Sequence, residues 1–318
     1  MIIWHIENGD FEWEIEVGKV TVLKGDNELW YQIIRLVDDY FFNKSTTVKI
    51  FEDTQLLHKN DWECLFIPYD AHLQFEKLNS KSPLRSILDD ICDELVLSPA
   101  YQELLNIWEE LKDELEIVNQ KVIKYDLSLQ LETFEIDNLK PLLTFSTIKE
   151  IMTPIEYKIL LMKLFADKSL DKKKLIIIEL PELFANPIKI SEFTEMVNEF
   201  VKKGIRFIII TQENISKNEN FVINQQIINR AKMEHLKFKV VNELPFVCED
   251  RVYDEAIQEL IKAVDNFNKN FQKPTLTQTN NEAIQIIQFV ILKHLNIKVD
   301  LEFTRISPNL AEYIKSYS

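Results

Sequence analysis

A β-branched apolar run, Val20-Thr21-Val22-Leu23, ends in Lys24-Gly25-Asp26-Asn27, after which the spacing turns helical through Leu29, Ile33, Leu36, Val37 and Tyr40. A loop of the form G-x-x-x-x-G-K-[ST] belongs at such a strand-to-helix junction, where backbone N–H groups and a lysine hold the phosphates of a nucleotide. Gly25 opens the stretch, but Trp30 and Tyr31 stand where the second glycine and the lysine are required. Bulk in the phosphate space and loss of the cation are independent failures, so no nucleotide is expected. Residues 175–182 (LIIIELPE) have the form of a strand that delivers a metal-binding acid and then a catalytic glutamate. Here Glu179 replaces the aspartate, and Leu180 replaces the glutamate that would orient water. Thr211-Gln212 lies where a Thr-His pair would sense the γ-phosphate, so Gln212 is a third departure in the same register. Two enzymatic readings remain: a nucleotide hydrolase that binds phosphate through another element, or a Mg²⁺-dependent nuclease centred on Glu179 and Glu182, although a nuclease calls for a third acid and a nearby lysine. The five histidines show no metal-ligand spacing, and Ser98 reads as a helix cap rather than a nucleophile.

The elements that would position these residues follow from periodicity. Phe11, Trp13, Ile15 and Val17 alternate with Glu12, Glu14 and Glu16, the pattern of a half-buried strand, and Gly18-Lys19 reads as a turn. Residues 48–51 and 63–68 supply two further short strands. From about residue 82 to 139 the sequence becomes helical and acidic, with fourteen Asp/Glu against three Lys between 86 and 139. Ser98-Pro99 starts a helix, and Tyr101, Leu104, Trp108, Leu111, Leu115, Val118 and Val122 form a heptad seam for a partner helix or subunit. Residues 154–165 and 190–203 are helical, and 175–179 and 205–211 are continuous apolar strands of a parallel sheet. Beyond residue 250 the pattern is helical again, broken by a polar linker at 268–281. The order matches an α/β fold: a degenerate P-loop, ATP-binding-cassette-like head (1–80 with 145–245), an inserted helical leg (81–144) and a helical C-terminal extension (246–318).

The 318 residues are 46% hydrophobic and 28% charged, the composition of an ordered globular protein of more than one unit. A formal charge of -15 argues against a uniformly basic nucleic-acid coat. Three well-separated cysteines, no apolar run long enough for a membrane span and no signal-like start lead to the expectation of a cytoplasmic protein without a membrane partner.

The runs VTVLKGDNELWYQIIRL, VKIFED, YDLSLQLETFEI and KKKLIIIELPEL resemble the CRISPR-associated Csn-two family of type II-A loci over roughly residues 1–240, and the residues beyond resemble its longer subtype. The resemblance implies a non-enzymatic homotetrameric ring that threads double-stranded DNA by its ends. It also implies a role in spacer acquisition beside the CRISPR integrase subunits and the RNA-guided effector nuclease. Calcium is the implied cofactor, with Asp126, Glu132, Glu135 and Asp137 falling in the stretch that holds it; Ser128 and Gln130 stand where further acids are expected.

An acidic chain that binds DNA must gather its cations on one surface, because phosphate contacts act through counterion release. Lys121, Lys124, Lys140 and Lys149 flank the acidic cluster and are the candidate DNA contacts, and residues 201–240 hold eight Lys/Arg against three Glu. Binding is expected to be independent of base sequence, since no recognition helix or zinc finger is present. The remaining alternative is a protein-binding scaffold that uses the heptad seam and has no DNA affinity.

Overall fold

The alternating amino terminus makes an antiparallel ribbon in which β1 (Ile2–Asn8) pairs with β2 (Phe11–Val17) around Gly9. Ile15 and Val17 are buried as the alternation predicts, while Phe11 is exposed and stacks on Trp13. Glu16 departs from the pattern: it is buried, and its Oε2 accepts from the Ala231 N–H at 3.1 Å. β3 (Val20–Gly25) follows after Gly18, where an added Cβ would lie 1.9 Å from Asn218 Nδ2. α1 (Asn27–Phe42) begins with one residue intervening, and its stripe of Trp30, Ile33, Ile34, Val37 and Tyr40 is buried. β4 (Lys49–Glu52) and the short β5 (Gln55–Leu56) complete a four-stranded sheet of order β2-β1-β4-β5, and β6 (Trp62–Ile67) leads away from it.

The computed structural model describes residues 2–9, 11–25, 27–74, 83–146, 148, 151–167, 172–223, 225–270 and 282–297, with 308, 312 and 313. They divide into two units, residues 1–69 with 169–318, and residues 70–168. The polar linker read at 268–281 lies outside the described residues from 271 onward.

In the second unit, α2 (Pro83–Val96) packs against α5 (Pro154–Asp167), and Leu84, Leu88 and Cys92 of the first helix and Leu161, Met162 and Phe165 of the second are buried. Between them run α3 (Pro99–Ile123) and the single turn α4 (Ile136–Leu139). Ser98 caps α3 as expected, its Oγ accepting from the Tyr101 N–H at 3.2 Å. Twenty-five residues make α3 about 37 Å long. Its seam is buried only at Tyr101; Leu111 and Val118 are 44% and 47% exposed. Residues 124–135 are not helical. They return along α3, held by Asn119, which bonds both the N–H and the C=O of Leu129, and by Trp108, which donates to the Glu132 carbonyl and packs on Phe134.

The first unit resumes with β7 (Lys173–Glu179), α6 (Pro187–Lys202) and β8 (Arg206–Ile210), two buried strands and the helix that crosses between them. β9 (Asn218–Ile223) and β10 (Gln226–Asn229) complete a six-stranded sheet of order β10-β9-β3-β8-β7-β6, parallel except for β10. Among the described residues four helices follow: α7 (Arg230–His235), α8 (Lys237–Glu243), α9 (Asp250–Asn270) and α10 (Glu282–His294). They share one apolar cluster with Phe221, Ile223 and Ile228, so the carboxyl-terminal helices fall within this unit. Asn220 joins the two sheets: its Oδ1 accepts from the N–H of Glu16 and from Asn229, and its Nδ2 donates to the Glu16 carbonyl. The whole is a mixed α/β architecture.

Candidate functional site

Strands β3, β8 and β7 lie side by side in a parallel sheet, so their carboxyl ends form the edge where α/β folds place a ligand. Gly25 ends β3 with a φ of 100°, a left-handed conformation that glycine adopts without strain. The helix starts at Asn27, so most of the eight-residue window read as a degenerate phosphate loop is helical. Trp30 lies in its first turn with no exposed surface, and its Nε1 donates to the Lys24 carbonyl at 2.8 Å. Tyr31 behaves differently from the sequence expectation. One residue on along a helix is about 100° round the axis, so its ring is half exposed, and it lies 4.8 Å from the Arg35 guanidinium instead of filling the space under β3.

Glu179 ends β7 almost fully buried. Its Oε2 accepts from the Tyr69 N–H at 3.1 Å, and its Oε1 lies 3.7 Å from the guanidinium of Arg35, which is also stacked 4.4 Å from the Phe66 ring. A protein cation and a backbone donor therefore surround the carboxylate that sequence reasoning placed at a metal. Leu180 adopts a φ of 42°, donates its N–H to Ile210 O at 2.8 Å and packs on the core, offering no oxygen to water. Glu182 faces a different strand end: its carboxylate accepts from Thr211 Oγ1 at 2.8 Å and from the Gln212 N–H at 3.0 Å. Glu179 and Glu182 thus serve separate partners.

Lys24 and Arg35 were missed as site residues. Lys24 is the clearer. Its side chain is fully buried, and its Nζ donates to Asn214 Oδ1 at 2.6 Å, Glu219 Oε1 at 2.7 Å and Asp265 Oδ1 at 2.9 Å, beneath the Phe221 ring. A lone lysine at the end of the apolar run of β3, still within the strand, was the available signal, because a buried ammonium must have partners.

The second unit does not assemble the acids that the resemblance assigned to calcium. Asp126, Glu132, Glu135 and Asp137 are all exposed. Asp137 is paired with Lys140 at 3.0 Å, and Glu135 opens α4, its N–H donating to Asn138 Oδ1 at 2.7 Å. Among the described residues no group of three or more His, Cys, Asp or Glu is placed to hold a metal ion. With no such group formed and Asp137 already paired with Lys140, the four acids do not fit a Ca²⁺ ion as a set. Of the four lysines, Lys121 and Lys124 are exposed at the end of α3, with Lys124 over the Tyr125 ring. Lys140 lies between Asp137 and Asp89, whose hydrogen bonds raise its pKa, so its charge is already answered. Lys149 lies outside the described residues.

No helix among the described residues is long and apolar enough to cross a membrane. No family model matches the chain, and no curated protein matches it. Among solved structures, Stu0660 of Streptococcus thermophilus matches with a TM-score of 0.55 at 14% identity, over 99% of this chain and 100% of that one. Also similar are the ADP conformation of MJ1267, an ATP-binding cassette of an ABC transporter (TM-score 0.36, 16% identity, 72% of this chain and 90% of that one), and cbiO1 from Clostridium perfringens, part of the ABC transporter complex cbiONQ (TM-score 0.33, 14% identity, 77% and 95%). The chain therefore shares its fold with Stu0660 along nearly its whole length.

Proposed function

We propose that the protein is a non-catalytic, sequence-independent binder of double-stranded DNA ends that works as a ring of identical subunits in CRISPR spacer acquisition. In this reading an ATP-binding-cassette-like head has lost its nucleotide site, and the helical leg and carboxyl-terminal helices serve assembly. The observation that carries the non-catalytic part is the closed strand edge. Trp30 is buried beneath β3, one residue separates strand from helix, and Glu179 is held by Arg35 and Tyr69. A nucleotide hydrolase needs that space open. A nuclease built on Glu179 and Glu182 needs both carboxylates on one metal, whereas each has its own protein partner. Self-association is supported by α3, where Leu111 and Val118 of the heptad seam and neighbouring Ile107 and Ile117 stay exposed in the single chain. The integrase subunits and effector nuclease enter as partners through the sequence resemblance, and no step depends on calcium.

The test is a gel shift with linear and covalently closed circular duplexes of equal length, with light scattering on the same sample. Retardation of the linear form alone, by an assembly heavier than one chain, is expected. Equal retardation of both forms overturns end threading, cleavage of either form overturns the non-catalytic assignment, and no shift favours the scaffold.

A further inference from the structure

We infer that the amino-terminal edge of the six-stranded sheet is the surface that meets DNA phosphates, an assignment that rests on the DNA-binding reading above. Five strands of this sheet run parallel, so their first residues share one edge, opposite the closed site. Each of four adjacent strands begins beside a cation. Lys217 precedes β9, Lys19 precedes β3, Arg206 opens β8 just after Lys203 at the end of α6, and Lys172-Lys173 leads into β7. Register brings them level. Val20 pairs with Phe207, which sets Lys19 beside Arg206, and Arg206 pairs with Leu175, two residues inside Lys173.

At the fifth strand, Lys173 pairs with Trp62, and the Trp62 ring carries Lys173 Nζ at 5.4 Å and the Arg206 guanidinium at 5.1 Å. The ring fixes two long cationic side chains at the edge, which lowers the entropy lost when they meet a phosphate. Among the described residues, Arg206 has one acid partner, Glu52, at 3.8 Å. Lys19, Lys172 and Lys217 are exposed, and among the described residues none of them forms an ion pair. With strands about 4.8 Å apart, five of them span roughly 19 Å, the length of five or six phosphates on one DNA strand. On a chain of net charge -15, such a row is the place where a polyanion gains from contact. The contacts carry no base information, as sequence-independent binding requires.

The test compares three full-length proteins on linear duplex across a salt series: wild type, a Lys19→Gln/Lys172→Gln/Lys217→Gln variant, and a Lys121→Gln/Lys124→Gln variant. The triple variant is expected to keep the wild-type thermal midpoint, to bind at least about tenfold more weakly at low salt, and to show a log–log salt slope shallower by about 3, one for each phosphate that a lysine no longer neutralises. Wild-type binding with an unchanged triple variant, or weakening confined to the Lys121/Lys124 variant, overturns the edge assignment and leaves DNA binding intact. A wild type that binds no duplex overturns the proposed function itself.

Discussion

Replacing Trp30 measures how firmly the strand edge is closed. The side chain has no exposed surface, and an aromatic of this size hides about 150–250 Å². At about 25 cal/mol per Å² that burial amounts to about 4–6 kcal/mol. Truncation of a buried Phe or Trp to Ala costs about 3–5 kcal/mol, and the lower range is the better guide because neighbours relax into the cavity. Loss of the Nε1 bond to the Lys24 carbonyl adds about 1 kcal/mol. Trp30→Ala should therefore destabilise the protein by about 5 kcal/mol. Trp30→Phe, which keeps most of the ring but not the donor, should cost about 2 kcal/mol. Equilibrium urea unfolding followed by circular dichroism reads both, and a thermal shift series with MgATP reads the site. No nucleotide stabilisation is expected in either variant, since emptying the space restores neither a lysine nor a free Glu179. A Trp30→Ala protein within about 1 kcal/mol of wild type would refute the burial argument. A Trp30→Ala protein stabilised by MgATP would show that the indole alone had excluded nucleotide.

Lys24 gives an ordering. Lys24→Met leaves the carboxylates of Glu219 and Asp265 facing each other without their cation, for about 3–5 kcal/mol, whereas Asp265→Asn keeps Lys24 paired with Glu219 and should cost about 1.5–3 kcal/mol. Urea midpoints in the reverse order would mean that Lys24 is not the centre of the network. Glu16 gives a pH dependence. Burial raises its pKa above the ordinary 4.5, against the smaller lowering from the Ala231 N–H. The folded protein thus holds the proton more tightly than the unfolded chain, and this contribution to stability, full below pH 4.5, is lost as pH rises through the folded pKa. Glu16→Gln should therefore gain stability relative to wild type between acid and neutral pH, and a pH-independent difference in unfolding free energy would contradict this.

The parts of the fold that are legible in the sequence are those with strong local signals. The apolar runs of β3, β7 and β8 and the helical spacing of α1, α5 and α6 place those elements within a few residues of where they form. β1, β9 and β10 carry weak local signals: β9 and β10 are short and mix Asn with apolar residues, β1 and β9 pair with β4 and β3 far off in sequence, and among the described residues β10 pairs with β9 alone. Reading residues 25–32 as a loop gave Trp30 and Tyr31 one fate, and the helix start at Asn27 divides them. Lys24 and Arg35 were visible as residues, but the first is explained by Asn214, Glu219 and Asp265, and the second by Glu179, all more than a hundred positions away. The acids Asp126, Glu132, Glu135 and Asp137 come from the family resemblance and carry no local signal of whether their carboxylates converge; among the described residues no group of three or more His, Cys, Asp or Glu is placed to hold a metal ion.

The early start of α1 also bears on how such a site could change over time. Exchanging Trp30 and Tyr31 for glycine and lysine would put those residues on a turn of helix, where backbone N–H groups point along the helix axis and bond to one another's carbonyls instead of curling around an anion. A cradle would need extra chain between Gly25 and the helix as well as new side chains, and Glu179 would have to be released from Arg35 in the same lineage. Removing Trp30 and parting Glu179 from Arg35 each gives up a buried contact, so no single substitution turns this strand end into a phosphate cradle.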